Sequence, residues 1–110
     1  MALDRANVVD AVGTDKATGE VVLTVIDALP WDDPKHLELL QDKLNAYFAF
    51  IESKELLAEY PGAVGRSIRI DVICRYDIPA NASKFLNQAR AVALKLDAAL
   101  SWRTYRGKAA

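Results

Sequence analysis

Trp31, Asp32, Asp33 and His36 lie within about one helical turn of one another, and two carboxylates beside an imidazole can serve as metal ligands or as an acid and a base. The same residues have an account that needs no ligand. An Asp just before a helix accepts a hydrogen bond from a free first-turn amide and suits the positive end of the helix dipole. Pro34 at the first helical position loses no hydrogen bond, because that amide would be unpaired anyway. The cap then falls at Asp33, with Asp32 the close alternative, Trp31 anchors the chain entry, and His36 is a first-turn residue on a polar stretch. Asp32, Asp33 and His36 are thus the catalytic candidates, in competition with capping. No metal is expected, since no further His or Cys stands at ligand spacing.

Arginines form the second candidate group. Arg69 and Arg75 share the polar phase of a strand, with Arg103 on the last strand, and guanidinium groups on a sheet can fork onto a carboxylate or phosphate. Asp71 and Asp77 alternate with them, so mutual neutralisation is the simpler account. Trp31, Arg69 and Arg75 are the ligand-binding candidates. Cys74 falls on the apolar phase of the same strand and reads as a small core hydrophobe. No GxSxG elbow or glycine-rich phosphate loop occurs, and no cofactor is expected. Trp102 to Arg106 interleaves aromatic and basic residues in a way that could stack on single-stranded nucleic acid. An edge strand carries the same mixture to guard its open side, and nucleic acid is the weaker expectation.

The element that must position the first group runs from Leu29 to Tyr60. Leu37, Leu40, Leu44, Tyr47, Phe48 and Ile51 recur mostly at steps of three and four and share one face. Leu39, Ala46 and Phe50 widen that face enough to cover a sheet. Near Glu52-Ser53-Lys54 the rhythm shifts, Glu55 to Tyr60 reads as an added turn or short second helix, and Pro61-Gly62 ends it.

The segments LPWDD, HLELLQDKLNAYFAFIES and YPGAVGR resemble a small uncharacterised bacterial family, a domain of unknown function of about this length. The resemblance runs from about Val8 to the last helix. It implies bacterial origin and a small α/β fold, with no established activity and no functional residues to transfer. The family pattern commonly places a glycine after the FIES run, where this chain has Lys54.

Taken in order, Asn7 to Val12 reads as a first strand, Gly13 to Gly19 as a hairpin loop, and Glu20 to Ala28 as a second strand apolar on both sides. Arg66 to Ile78 alternates with near-strict period two, placing Ile68, Ile70, Val72, Cys74, Tyr76 and Ile78 on one face. Asn81 or Ser83 caps a last helix with Phe85, Ala89, Val92, Leu96 and Leu100 along one side. Trp102 to Tyr105 is a short last strand, and residues 107–110 are a frayed tail. The order β-β-α-β-α-β predicts a two-layer α/β (α+β) sandwich: a mixed four-stranded sheet with two helices on one face. The far face would carry Ile73 and one side of the second strand, an apolar area of the kind that marks association. A homodimer with Ile73 at its interface is therefore expected.

The 110 residues are expected to form a single domain with a real core. The charged amino-terminal stretch does not read as a signal peptide, no apolar run approaches a membrane span, and the lone Cys74 fits a reducing cytoplasm. Charge is unevenly placed. Residues 1–60 hold 12 acidic and 5 basic side chains, whereas residues 61–110 hold 3 and 9. Two halves that attract one another, within a subunit or between subunits, account for this without a phosphate-binding surface. The function expected is a cytoplasmic, self-associating binding module without catalysis, acting on a protein or small anionic partner. The alternative is a small enzyme or anionic-ligand-binding protein using Asp32, Asp33 and His36 with Arg69 and Arg75.

Overall fold

The computed structural model describes Arg5 and residues 8–105. Four strands and three helices follow in the order β1 (Ala11–Thr14), β2 (Val21–Asp27), α1 (His36–Glu52), α2 (Glu55–Glu59), β3 (Ile68–Cys74), α3 (Ala80–Lys95) and β4 (Ala98–Thr104). The expected α+β architecture is what forms. The sheet order is β1-β2-β3-β4, with β1 antiparallel to β2 and the other two pairings parallel. The strand following each long helix is thus laid beside the strand preceding it.

Period two in the parallel strands decides which face the helices cover. Val21, Leu23 and Val25 of β2, Ile70, Val72 and Cys74 of β3, and Ala98 and Leu100 of β4 are buried on one side. Against them lie Leu40, Leu44, Tyr47 and Phe48 of α1 and Leu86, Ala89 and Ala93 of α3. A large apolar side chain fully removed from water contributes roughly 1.5–3 kcal/mol, so this layer is the main source of stability. On the opposite side Ile26 is 42% exposed and Ile73 is half-buried, and no described element covers that face.

Several boundaries move from their expected places. Asn7, at the start of the expected first strand, and the tail at 107–110 lie outside the described residues. β1 begins only at Ala11, and Gly13 and Thr14 belong to it. Asp10 then takes over the ladder with its side chain: its Oδ2 accepts the Ile26 amide at 2.8 Å. The hairpin turn tightens to Asp15–Thr18, where Asp15 Oδ1 accepts the Ala17 amide at 2.8 Å.

α1 starts regular geometry at His36 rather than at Pro34. Asp33 still tethers the preceding turn, since its Oδ1 accepts the Lys35 amide at 2.9 Å and its carbonyl accepts the His36 amide at 3.1 Å. Pro79, rather than Asn81 or Ser83, stands at the cap of α3. α3 stops at Lys95, and Asp97 adopts a left-handed φ of 58° that turns the chain straight into β4. Leu100 therefore packs in the core from a seven-residue strand, not from the helix.

Candidate functional site

Asp27 ends β2 in the same phase as Val21, Leu23 and Val25, which sends its carboxylate to the helix side, into the interior. The loop 28–35 then carries the chain over the carboxyl end of the sheet and brings His36 back onto Asp27. The His36 imidazole is 1% exposed and both ring nitrogens are engaged. Nδ1 lies 3.0 Å from the Pro30 carbonyl, which can only accept, so Nδ1 carries hydrogen. Nε2 lies 2.5 Å from Asp27 Oδ2, while Asp27 Oδ1 accepts the Leu29 amide at 3.2 Å. Burial pushes the Asp27 carboxyl above the usual carboxylate range, against the opposing pull of His36. With Nδ1 carrying its own hydrogen, one further proton between Nε2 and Oδ2 completes the bond, and the pair then carries no net charge.

Trp31 closes the unit from outside. Its ring stacks on His36 at 3.7 Å between centroids and 11° between planes, and its Nε1 donates to the Tyr76 carbonyl at 3.1 Å. The loop after β2 is thereby tied to the loop after β3. Cys74 stands opposite Asp27 in the parallel ladder, and burial, with the Asp27 charge adding, pushes its thiol up to about 12. At neutral pH it is a protonated core group.

The structure divides the first sequence-defined cluster. Asp32 is exposed, Asp33 is occupied by its own turn, and His36 faces inward to a carboxylate from another element. Trp31 and His36 are brought together as a sealing stack. The buried pair has no free ring nitrogen to present to a substrate. Among the described residues no group of three or more His, Cys, Asp or Glu is placed to hold a metal ion.

The arginines are sorted differently. Arg69, toward the amino end of β3, meets Glu20 at 2.5 Å, Asp71 at 3.0 Å and Asp15 at 3.3 Å. Ser101 from β4 donates to the same Asp71 oxygen that receives Arg69 Nε. Neutralisation is therefore more than complete at Arg69, where three carboxylates face one guanidinium. Arg75 and Arg103 stand at the other end of the same open face. They line a cleft of about 680 Å³ with Ile26, Ile73 and Tyr105. Arg75 lies over the Tyr76 ring at 5.8 Å, and neither guanidinium has an acidic partner among the described residues.

Two buried polar groups escaped the sequence reading. Besides Asp27, Lys43 is wholly buried on the apolar side of α1, donating to the Arg5 and Val8 carbonyls and to Asp10 Oδ1 at 2.9, 2.7 and 2.9 Å. Tyr47 hydroxyl accepts the Asp10 amide at 2.8 Å and donates to the Thr24 carbonyl at 2.6 Å. Both signals were in the spacing. Lys43 falls three after Leu40 and four before Tyr47, on the buried stripe, and Asp27 holds the buried phase of β2. This network fastens the chain ahead of β1 to α1.

A family model described as a family of unknown function, DUF6572, matches residues 1–106. Neither the curated proteins nor the solved structures contain a significant match. The chain therefore belongs to that family.

Proposed function

We propose that this member of the family is a non-catalytic binding module that works as a homodimer, with the open face of the sheet as its interface. The observation that carries the reading is the self-complementary layout of that face. Around Arg69 three carboxylates meet one guanidinium, a local balance of −2. At the other end Arg75 and Arg103 give +2, and Ile26 and Ile73 lie at the arginine end beside them. A two-fold axis lying between two such faces, perpendicular to the strands, sets each cationic end over the partner's anionic end. Sheets packed face to face stand about 10 Å apart, a spacing that lets long arginine and glutamate side chains meet. The arrangement removes Ile26 and Ile73 from water and gives each charge a partner, which a bare face does not.

A reducing cytoplasm suits a module whose one thiol is buried and protonated, and we place it there. The inward-facing Asp27–His36 pair supports a structural role for the helix entry, leaving the working surface on the far side of the sheet.

Ile73→Asp tests the interface. The change sets a carboxylate beside Arg75 and Arg103, cancelling the cationic end that the contact needs and replacing its apolar surface, while leaving the helix-covered core untouched. Sedimentation velocity should show the parent chain as a dimer and the variant as a folded monomer, with an unchanged far-ultraviolet circular dichroism spectrum. Equal sedimentation coefficients for the two would remove the open face as the contact.

A further inference from the structure

On the open face, the carboxyl ends of the three parallel strands form a small grid. Ile26, Ile73 and Arg103 lie side by side in one row of the register. One step along the same face come Ala28, Arg75 and Tyr105, and the ladder continues there because the Arg75 amide donates to the Asp27 carbonyl and the Tyr105 amide to the Cys74 carbonyl. The two arginines are therefore diagonal neighbours. Strand spacing and rise put their α-carbons about 8 Å apart, within the reach of two long side chains onto one oxyanion. Neither cation has a carboxylate partner among the described residues, so an arriving anion meets two charges that nothing there neutralises. Asp27 also lines the cleft, but its carboxylate is buried and engaged by His36 and by the Leu29 amide.

The rest of the cleft is not suited to a bare ion. Ile26 and Ile73 present aliphatic surface beside the guanidinium groups, and Tyr105, 54% exposed, offers a ring at the edge. The volume of about 680 Å³ falls in the range of small-molecule sites. We propose that this cleft binds a small amphipathic oxyanion, an organic carboxylate or phosphate ester whose charged group is forked by Arg75 and Arg103 and whose apolar body lies on Ile26, Ile73 and Tyr105. The ligand uses the arginines that the dimer would use, so the two compete. Only this competition rests on the homodimer reading; the binding itself does not.

The test is a titration of the full chain followed residue by residue by amide nuclear magnetic resonance, with sedimentation velocity on the same samples. The probes are phenyl phosphate, benzoate, inorganic phosphate and benzyl alcohol. Phenyl phosphate or benzoate should saturably shift the amides of Ile26, Ile73, Arg75 and Tyr105, the two probes separating phosphate from carboxylate preference. Inorganic phosphate should bind at least about tenfold more weakly, and benzyl alcohol should not saturate. Arg75→Ala and Arg103→Ala should each weaken binding by about tenfold or more, the loss of a charge-assisted hydrogen bond, while Lys84→Ala on α3 changes nothing. Shifts elsewhere on the chain, undiminished binding by the double arginine variant, or no saturation by either organic anion would overturn the site. A monomer that titrates at these residues keeps the site and loses the dimer. A dimer that does not titrate, and whose Asp15→Lys, Glu20→Lys variant, freed of the opposing acidic end, does not titrate either, does the reverse, and a dimer that dissociates as the probe binds supports both.

Discussion

A buried Asp–His pair poses a protonation problem that its hydrogen bonds answer. The Pro30 carbonyl fixes the hydrogen on His36 Nδ1, and burial favours the protonated carboxyl of Asp27, which then donates to Nε2. A carboxamide in place of that carboxyl would reproduce the donor–acceptor pattern, with its NH2 donating to Nε2 and its carbonyl accepting the Leu29 amide. Asp27→Asn should therefore cost no more than about 1 kcal/mol, the net worth of a typical hydrogen bond. Asp27→Ala should cost about 2–4 kcal/mol, because it strands a ring nitrogen and a backbone amide. The sign of the pH dependence follows from the raised carboxyl. The folded state keeps a proton that the unfolded Asp releases above 3.8, so this group's stabilisation is complete below that value. It diminishes as pH rises toward the folded value. Urea melts across pH should thus show parent stability falling relative to Asp27→Asn as pH rises from about 4. Parallel curves for the two proteins would show that the folded pair holds no proton beyond the one on His36 Nδ1.

At the scale of elements, the junction of α1 and α2 turns on Lys54, whose φ is 67°. The left-handed conformation costs a residue with a β-carbon roughly 1–2 kcal/mol, and glycine escapes it. The chain nevertheless makes this turn without glycine, held by the Lys54 amide donating to the Ile51 carbonyl. Lys54→Gly should raise stability by about 1 kcal/mol, read as a higher denaturant midpoint at constant slope; an unchanged or lower midpoint would mean that contacts of the lysine stem outweigh the backbone strain. The long elements were legible in the sequence where their periodicity is clean: the stripe from Leu40 to Phe48 is buried as expected, and so are Ile70, Val72 and Cys74 of β3. The expected strand from Arg66 to Ile78 shortens to Ile68–Cys74, which leaves Tyr76 exposed, and α3 buries Leu86, Ala89 and Ala93 rather than the stripe through Phe85 and Val92. Boundaries were not, for physical reasons. Leu100 fits a helical stripe after Leu96 as readily as a strand, and only the left-handed turn at Asp97 separates the two. β1 shifted because the Asp10 side chain does the work of a strand backbone. The partner of His36 was hidden for another reason: a contact between β2 and α1 across nine residues depends on how the loop returns, which local pattern does not encode.

At the scale of the whole molecule, the uneven charge of the sequence reappears as a dipole across one sheet face. Asp15 and Glu20 come from the acidic half and Arg75 and Arg103 from the basic half. The fold brings them to opposite ends of the surface that no described helix covers. If two copies pack with these ends crossed, charge sign alone should dictate which chains associate. Arg75→Glu with Arg103→Glu makes both ends of a face acidic, and Asp15→Lys with Glu20→Lys makes both ends basic. Each double variant should be monomeric alone, because every contact in its homodimer joins like charges. Mixed in equal amounts they should form a heterodimer, with two acidic ends on two basic ones. That association should weaken as salt rises, since exposed charges are screened over about 8–10 Å near physiological ionic strength. Sedimentation velocity of each variant and of the mixture reads all three states. Homodimers from either variant, or a mixture that stays monomeric at low salt while both chains are folded, would exclude the crossed arrangement. Rescue in the mixture alone is the outcome that a general loss of stability cannot imitate, because neither chain gains a folding interaction from the other until the two faces meet.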